Sequence, residues 1–246
     1  MEHDLFIRSV CLTEPPGGWL REIPAIAHLM RQELTFTNPV TFFVGENGTG
    51  KSTLLEAIAV ASGFNPEGGT RNFNFSTQDT HSSLSRSLRL VRTRYPKDGF
   101  FLRAESFYNV ASYIDKLDAE PRFGGPLIDS YGGVSLHDQS HGESFLALVQ
   151  HRFHENGFYL LDEPEAALSP MRLLTLMAEL HTLASNGAQF LIATHSPILM
   201  TLPNAQILQF TAAGIEEVSY RDTEHFQITK QFLDSPERML HYLLGE

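Results

Sequence analysis

Val40-Thr-Phe-Phe-Val-Gly-Glu-Asn-Gly-Thr-Gly-Lys-Ser-Thr53 is the stretch that decides the fold. Its first part, Val40 to Val44, predicts a buried strand, and apolar residues at helical spacing follow the stretch: Leu54, Leu55, Ile58 and Ala59. Between them lies the pattern G-x-x-x-x-G-K-[ST], from Gly45 to Ser52. A glycine-rich turn leading from a strand into a helix presents backbone N–H groups and a positive dipole end to a phosphate. The stretch therefore predicts a phosphate loop, in preference to a chance glycine turn.

The last two residues of this pattern indicate a nucleotide bound with its metal ion. The Lys51 ammonium is placed to reach the β- and γ-phosphates, and the Ser52 hydroxyl is placed to ligate Mg²⁺.

Composition limits the class of protein. A chain of 246 residues is long enough for one large α/β domain or two small ones. The net charge of −11 argues against a surface built throughout for nucleic acid, although it allows a local basic patch. A single cysteine, Cys11, excludes an internal disulfide and favours the cytoplasm. The segment from Met1 to Leu12 does not resemble a signal peptide, and no apolar run approaches the ~20 residues of a membrane span. We therefore expect no direct membrane insertion.

Two features allow a functional and a plainer interpretation. Two predicted strands, Ser87 to Arg94 and Gly99 to Ala104, are joined by a turn sequence. Five arginines lie in or next to them: Arg86, Arg89, Arg92, Arg94 and Arg103. They form the one candidate site for nucleic acid, although a charged solvent-facing surface is the simpler interpretation. Trp19 could stack on adenine, but a packed or surface tryptophan is the simpler interpretation.

A second candidate anion site begins at Ser140-His-Gly-Glu-Ser144, which precedes an apolar helical face. Small residues that open a helix leave N–H groups and a positive dipole end available. Because the chain already has one phosphate loop, a second such site suggests a second copy of the protein.

Acidic and histidine side chains follow two predicted buried strands. Phe158 to Glu163 ends in two acids, of which Asp162 could support the hydration shell of Mg²⁺ and Glu163 could take a proton from water. The alternative is that both acids cap the next helix. The strand from Phe190 leads to His195, a candidate contact for the γ-phosphate, whereas a lone histidine is usually structural.

The order of these motifs resembles the ABC-type ATPase superfamily: GENGTGKS, SHGES at the family's signature position, FYLLDEPEAALSP and ATHSP. The last two motifs are more similar to the chromosome-maintenance and RecF-like branch, with its small stand-alone ATPases, than to transporter subunits. The motifs span residues 45 to 197.

The resemblance implies ATP and Mg²⁺ as cofactors and assigns roles by motif. Nucleotide-binding residues would be Glu46, Asn47, Gly48, Thr49, Gly50, Lys51, Ser52 and Thr53. Asp162 and Ser52 would hold Mg²⁺, Glu163 would be the general base, and Lys51 and His195 would assist catalysis. The γ-phosphate bound by the opposite subunit would be capped by Ser140, Gly142 and Glu143.

Three departures from the family pattern are visible. The signature has His141-Gly142 in place of two glycines, and Ser169 stands where many members have aspartate. No clear Q-loop glutamine is present; Glu105 occupies its expected position and is the candidate third metal residue, with Gln78 a weaker candidate.

We therefore predict an α/β P-loop NTPase fold: one ABC-type nucleotide-binding domain over residues 1–246, with a mixed sheet, a parallel core and flanking helices. A β/helical insert would occupy about residues 64–139. The expected function is ATP hydrolysis by a nucleotide-dependent homodimer that switches a partner protein or nucleic acid in DNA maintenance or defence. The alternatives are an energising subunit of a membrane transporter and a non-hydrolysing, ATP-gated binding module.

Overall fold

The computed structural model describes residues 4–71, 83–119 and 127–245. In chain order its strands are β1 (Ile7–Leu12), β2 (Leu34–Thr35), β3 (Val40–Gly45), β4 (Leu88–Arg92), β5 (Asp98–Arg103), β6 (Gly157–Asp162), β7 (Gln189–Ala193), β8 (Gln206–Thr211) and β9 (Gly214–Glu217). Its α-helices are α1 (Pro24–Leu29), α2 (Lys51–Ala61), α3 (Leu84–Ser87), α4 (Phe107–Ala119), α5 (His141–Arg152), α6 (Pro170–Ser185), α7 (Glu224–Asp234) and α8 (Pro236–Leu244).

The larger sheet has the strand order β5-β6-β7-β3-β8-β9, in which β9 alone is antiparallel to its neighbour. This arrangement confirms the predicted mixed sheet with a parallel core. Asp162 pairs in register with Ala193, and Ala193 pairs with Phe43 near the end of β3. The phosphate loop, the acids after β6 and the histidine after β7 therefore leave the sheet at one edge. Open α/β sheets place ligand sites at such carboxyl ends.

A smaller antiparallel sheet has the order β2-β1-β4. The two strands predicted from residues 87–94 and 99–104 both exist, but they do not pair with each other. β4 pairs with β1, whereas β5 joins the large sheet beside β6. The sequence of β5, Asp-Gly-Phe-Phe-Leu-Arg, contains the continuous apolar run of a strand buried on both faces.

Helix α2 lies between the two sheets. Its apolar side chains pack with Phe6 and Val10 of the N-terminal region and with Phe43 of the large sheet. The side chain of Gln189 fixes the edge of this layer, because it accepts hydrogen bonds from the N–H groups of Phe6 and Ile7 at 2.9 and 3.0 Å.

The opposite face of the large sheet is covered by α4, α5 and α6, whose buried side chains include Phe107, Phe145 and Leu176. The region predicted as an insert contributes β4 to one sheet, β5 to the other and α4 to this helical layer.

The C-terminal segment forms a hairpin, β8 and β9, followed by a helical tail that divides into α7 and α8. No residue of either tail helix is buried, and several apolar side chains are exposed, including Leu233, Leu243 and Leu244. Among the described residues, no helix combines the length and apolar character needed to cross a membrane.

Candidate active site

The phosphate loop requires glycine at two positions because of its packing. Gly45 has φ +133°, and a Cβ there would lie 2.1 Å from the carbonyl oxygen of Phe210 on β8. Gly50 has φ +99°, and its Cβ would lie 2.4 Å from Cγ2 of Ile23. Gly48 also has a positive φ, but a Cβ there would meet nothing within 4 Å. The loop therefore packs against β8 and the start of α1 on one side. Its tip, at Gly48, faces open space that a phosphate can enter.

Lys51 is buried in this loop, and its side chain folds back onto it. Its Nζ donates to the carbonyl oxygens of Gly45 at 2.7 Å and Glu46 at 2.9 Å. Burial lowers the pKa of Lys51, and the negative charges of Glu163 and Asp162 oppose that change. The Lys51 ammonium can exchange these carbonyl oxygens for phosphate oxygens, and it lies beside the first N–H groups of α2, which have no acceptor within the helix. This arrangement fits the binding of a phosphate.

Ser52 and Asp162 meet as the sequence predicted. The Ser52 hydroxyl donates to Oδ1 of Asp162 at 2.8 Å. Burial raises the pKa of Asp162 to about 6, although the charge of Arg103 and the hydrogen bond from Ser52 act in the opposite direction. The described residues hold no group of three or more histidine, cysteine or acidic side chains able to bind a metal by themselves. A hydroxyl and one carboxylate suit Mg²⁺, which keeps waters and phosphate oxygens as its other ligands.

Arg103 is a residue of the site that the sequence did not identify. It ends β5 and is paired in register with Asp162. Its Nε lies 3.3 Å from Oδ2 of Asp162, and its Nη1 lies 2.8 Å from Oε2 of Glu56 on α2. Arg103 reaches the site because β5, which it ends, lies beside β6, which ends in Asp162. The sequence alone does not reveal that these two strands are neighbours.

The five-arginine group therefore does not form one patch. Arg103 lies in the site, Arg92 donates to the carbonyl of Ala61, and Arg94 donates to the carbonyls of Asp4 and Gly187. Arg86 and Arg89 remain exposed. The solvent-facing surface that the sequence suggested is thus confined to these two side chains.

Glu105 lies at the edge of the site. Its side chain is 90 % exposed, and its Oε2 is 4.0 Å from Nη2 of Arg103. It lines a cleft of 380 Å³ together with Ser52, Asp162, Glu163 and His141, among others. Its assignment as a metal residue stays a prediction. Gln78 lies outside the described residues.

Glu163 adopts the left-handed conformation, with φ 50° and ψ 51°. Its N–H donates to the carbonyl of Ala193 at 2.9 Å, and this bond ties the turn to the end of β7. A non-glycine residue at such a φ is uncommon, and such outliers cluster at functional sites. The carboxylate Oε1 lies 3.7 Å from Nε2 of His195, and nearly half of the side chain is exposed, so water can reach it.

His195 is oriented by two residues that the sequence did not identify. The carboxylate of Glu165 accepts from the backbone N–H of His195 at 2.5 Å and from the hydroxyl of Thr194 at 2.8 Å. On the other side, Nδ1 of the His195 ring lies 2.8 Å from Nε2 of His225 on α7. Glu165 belongs to the EPEAALSP motif, whereas no sequence signal connects His225 to the site.

The signature residues are held by contacts within the chain. Ser140 precedes α5, and the Glu143 carboxylate accepts from its N–H at 3.1 Å and from its hydroxyl at 2.5 Å. Arg172 of α6 bonds to the Ser140 hydroxyl at 3.1 Å and to the Glu143 carboxylate at 3.0 Å. Gly142 packs below this arginine, because a Cβ there would lie 2.6 Å from its Nη1.

Trp19 is 64 % exposed in a 3-10 turn, Gly18–Glu22, just before the Ile23 that contacts the phosphate loop. This is the surface tryptophan of the simpler interpretation, and stacking on adenine stays a prediction.

Two family models match separate parts of the chain. One, described as "AAA domain", matches residues 26–107, and the other, described as "AAA domain, putative AbiEii toxin, Type IV TA system", matches residues 127–201. Each covers less than half of the 246 residues. No curated protein matches this sequence.

Solved structures show the same fold. The chain resembles "a putative metal-chelate type ABC transporter" in an inward-facing conformation, with 14 % identity, TM-score 0.51 and coverage of 92 % of this chain and 88 % of that one. It also resembles MJ1267, an ATP-binding cassette of an ABC transporter, with 16 % identity, TM-score 0.51 and coverage of 93 % and 99 %. The SMC head domain from Thermotoga maritima is less similar, with 16 % identity, TM-score 0.44 and coverage of 87 % and 99 %. The fold is thus that of ATP-binding cassettes, and the predicted fold is confirmed.

Proposed function

We propose that this chain, an ABC-type P-loop ATPase by fold and motif, hydrolyses ATP to ADP and phosphate as a nucleotide-dependent homodimer. The observation that carries the proposal is the meeting of Lys51, Asp162, Glu163 and His195 at one sheet edge. Three neighbouring parallel strands bring these residues together from three separate motifs. The family's motif roles and the geometry of these side chains point to the same reaction.

ATP would lie on the loop from Glu46 to Thr53, with its phosphates at the first turn of α2. Ser52 and Asp162 would hold Mg²⁺, which when bound neutralises phosphate charge. Lys51 is buried within reach of that position, and its ammonium group already donates to the carbonyl oxygens of Gly45 and Glu46. A fixed positive charge in a partly dry site costs no reorganisation during the reaction, so it stabilises developing negative charge strongly.

Glu163 is the residue we assign as general base. It follows the metal-supporting Asp162 directly, yet its left-handed backbone turns its carboxylate towards His195. Its partial exposure gives it access to an attacking water, whereas Asp162 is buried and already bonded to Ser52. His195 would donate to the γ-phosphate from Nε2.

The homodimer rests on the start of α5. The first N–H groups of a helix have no intrahelical acceptor, so Gly142 offers a donor to an anion. The Ser140 hydroxyl would offer a second one on leaving the Glu143 carboxylate. The chain's own phosphate loop is already served by α2. We therefore infer that the γ-phosphate capped by Ser140, Gly142 and Glu143 belongs to a second copy.

The purpose we favour is mechanical switching of a partner protein or nucleic acid in DNA maintenance or defence. The EPEAALSP and ATHSP motifs support this branch, as does the family description naming a toxin of a type IV toxin–antitoxin system. An energising transporter subunit is the second candidate, because the matched cassettes of TM-score 0.51 come from ABC transporters. The third, a non-hydrolysing ATP-gated module, is disfavoured by Glu163.

Two variants test the proposal. Glu163→Gln should bind Mg-ATP, fail to release phosphate, and elute as a dimer in size-exclusion chromatography only when Mg-ATP is present. Lys51→Ala should show neither hydrolysis nor the dimer, since a lost charge contact to the phosphates costs several kcal/mol. Normal phosphate release by Glu163→Gln would assign the base elsewhere. Co-purified proteins distinguish the roles: a polytopic membrane protein indicates transport, and a nuclease or nucleic acid indicates maintenance or defence.

A further inference from the structure

The hydrogen bond between His195 and His225 can run in either direction, and the direction determines which nitrogen of His195 carries a hydrogen. Nδ1 of His195 and Nε2 of His225 lie 2.8 Å apart, so one hydrogen is shared between two ring nitrogens. If His225 donates it, the hydrogen of a neutral His195 resides on Nε2. If His195 donates it, its Nε2 carries only a lone pair. The direction of this bond therefore decides what His195 presents to the site.

The surroundings of the His195 Nε2 atom favour one direction. This atom is buried and has no hydrogen-bond partner, and Oε1 of the Glu163 carboxylate lies 3.7 Å from it. A carboxylate only accepts hydrogen bonds, as does a phosphate oxygen. A lone pair on Nε2 would face acceptors, whereas an N–H there would be attracted to them.

Protonation of both ring nitrogens would also place a hydrogen on Nε2, but the charges around the pair oppose it. Burial, together with the positive charge of Lys51, lowers the pKa of His195. Burial, the charge of His195 and that of Lys51 lower the pKa of His225. The acids Glu163 and Glu46 act against these effects at His195, as Glu46 and Glu224 do at His225. The net direction is downward for both, so the pair is neutral at neutral pH.

The position of His225 is fixed by the start of α7. Thr223 caps this helix by accepting from the N–H of Phe226, and its own hydroxyl donates to the carbonyl of Tyr220 at 2.7 Å. The ring of Phe226 packs on that of Tyr220 with centroids 4.6 Å apart. The backbone of His195 is held separately by Glu165. The backbones that carry the two rings are therefore anchored independently of each other, as expected of a contact that orients a functional histidine.

We propose that His225 is a positioning residue that donates its Nε2 hydrogen to Nδ1 of His195 and so keeps a hydrogen on His195 Nε2, facing the γ-phosphate. The inference rests on the proposed ATPase function for its catalytic effect, but the direction of the hydrogen bond is a property of the protein alone. It brings a residue of the C-terminal helical tail, outside every recognised motif, into the working of the site.

Imidazole ¹⁵N NMR of the full chain tests the direction of the bond without any nucleotide. At pH 8, His195, assigned by the signals lost in His195→Gln, should be the neutral form with hydrogen on Nε2. In His225→Glu the new carboxylate can only accept, so His195 should change to hydrogen on Nδ1. The proposal is overturned if wild-type His195 already carries its hydrogen on Nδ1. This readout decides the matter even if the protein proves not to hydrolyse ATP.

Turnover then tests the consequence. His225→Ala should lower kcat about tenfold with little change in KM, while His225→Gln, whose amide can donate to Nδ1, should recover to within about threefold of wild type. His225→Glu should match Ala at pH 8.5 and regain activity as the pH falls, because protonated His195 again carries hydrogen on Nε2. His241→Gln, the same change on exposed α8, is the matched control and should leave kcat unchanged. Equal activity of the Gln, Glu and Ala variants across this pH range, with circular dichroism unchanged, would refute the positioning role.

Discussion

Asp162→Asn should make the nucleotide-free protein more stable while abolishing the proposed metal site. In the folded state burial raises the pKa of Asp162 to about 6 from an ordinary 3.8, so the charged form is costly there. A difference of that size corresponds to about 3 kcal/mol between charged and neutral forms. The figure already includes the attraction of Arg103 and the Ser52 hydrogen bond, because both contribute to the shift. Asparagine keeps an oxygen that can accept from Ser52, and Arg103 keeps Glu56 at 2.8 Å. Allowing for imperfect replacement, we expect a gain of about 1–3 kcal/mol.

The pH dependence gives this prediction its sign. Because the folded-state pKa is raised, the folded protein binds a proton more tightly than the unfolded chain between about pH 4 and 6. The contribution of Asp162 to wild-type stability is therefore greatest below about pH 4 and falls as the pH rises through about 6. The advantage of Asp162→Asn should be complete at pH 8 and reduced by about half at pH 5.

Thermal unfolding in EDTA at pH 8 and pH 5 measures the effect, with an expected rise in Tm of about 2–4 °C per kcal/mol at pH 8. Asp98→Asn is the matched control with the opposite sign. Arg152 bonds to both oxygens of Asp98 at 2.5 and 2.8 Å, and although burial acts the other way, these contacts lower the pKa of Asp98. Its neutralisation should destabilise the protein at pH 8 and less so in acid. A lower Tm for Asp162→Asn at pH 8, or an advantage independent of pH, would refute the reasoning.

Two further substitutions test packing and sharing of the site. Gly45→Ala should lower stability by roughly 2–5 kcal/mol in urea unfolding, because its Cβ would lie 2.1 Å from a backbone oxygen of β8 at a strained φ. Gly48→Ala, which also has a positive φ but lies in open space, should cost only about 1 kcal/mol, and equal losses would count against the packing argument. Ser140→Arg should leave equilibrium ATP binding intact but eliminate the Mg-ATP-dependent dimer and phosphate release, and normal phosphate release would show that the start of α5 does not take part.

The predicted fold depends on short-range signals, which is why the sequence suffices for it, and most of the candidate site residues were proposed from signals of the same kind. The phosphate loop, the acids after β6 and His195 each follow a strand visible as an apolar run, and parallel strands place such ends together. The hairpin of β8 and β9 and the helical tail are likewise local patterns.

The residues that the sequence missed are placed by strand order and by tertiary contacts. Arg103 enters the site because β5 joins β6 and not β4, a pairing decided over the whole sheet. His225 reaches His195 only because α7 returns to the end of β7. Glu165 was visible as part of a motif, but its bonds to Thr194 and His195 span about 30 residues and leave no local trace.

The central position of β3 also determines when the nucleotide site can form. Its two strand neighbours are β7 and β8, which begin at Gln189 and Gln206, more than 140 residues later in the chain. A growing polypeptide at the ribosome therefore carries the phosphate-loop sequence long before that strand has a partner. Contacts so distant in sequence slow folding, because a long loop must close before they form. Until residue 211 has emerged, the sheet that completely buries Phe42 and Phe43 in the folded protein is incomplete. A nucleotide can therefore assist folding at this site only after β8 has been synthesised, when β3 has both of its strand neighbours.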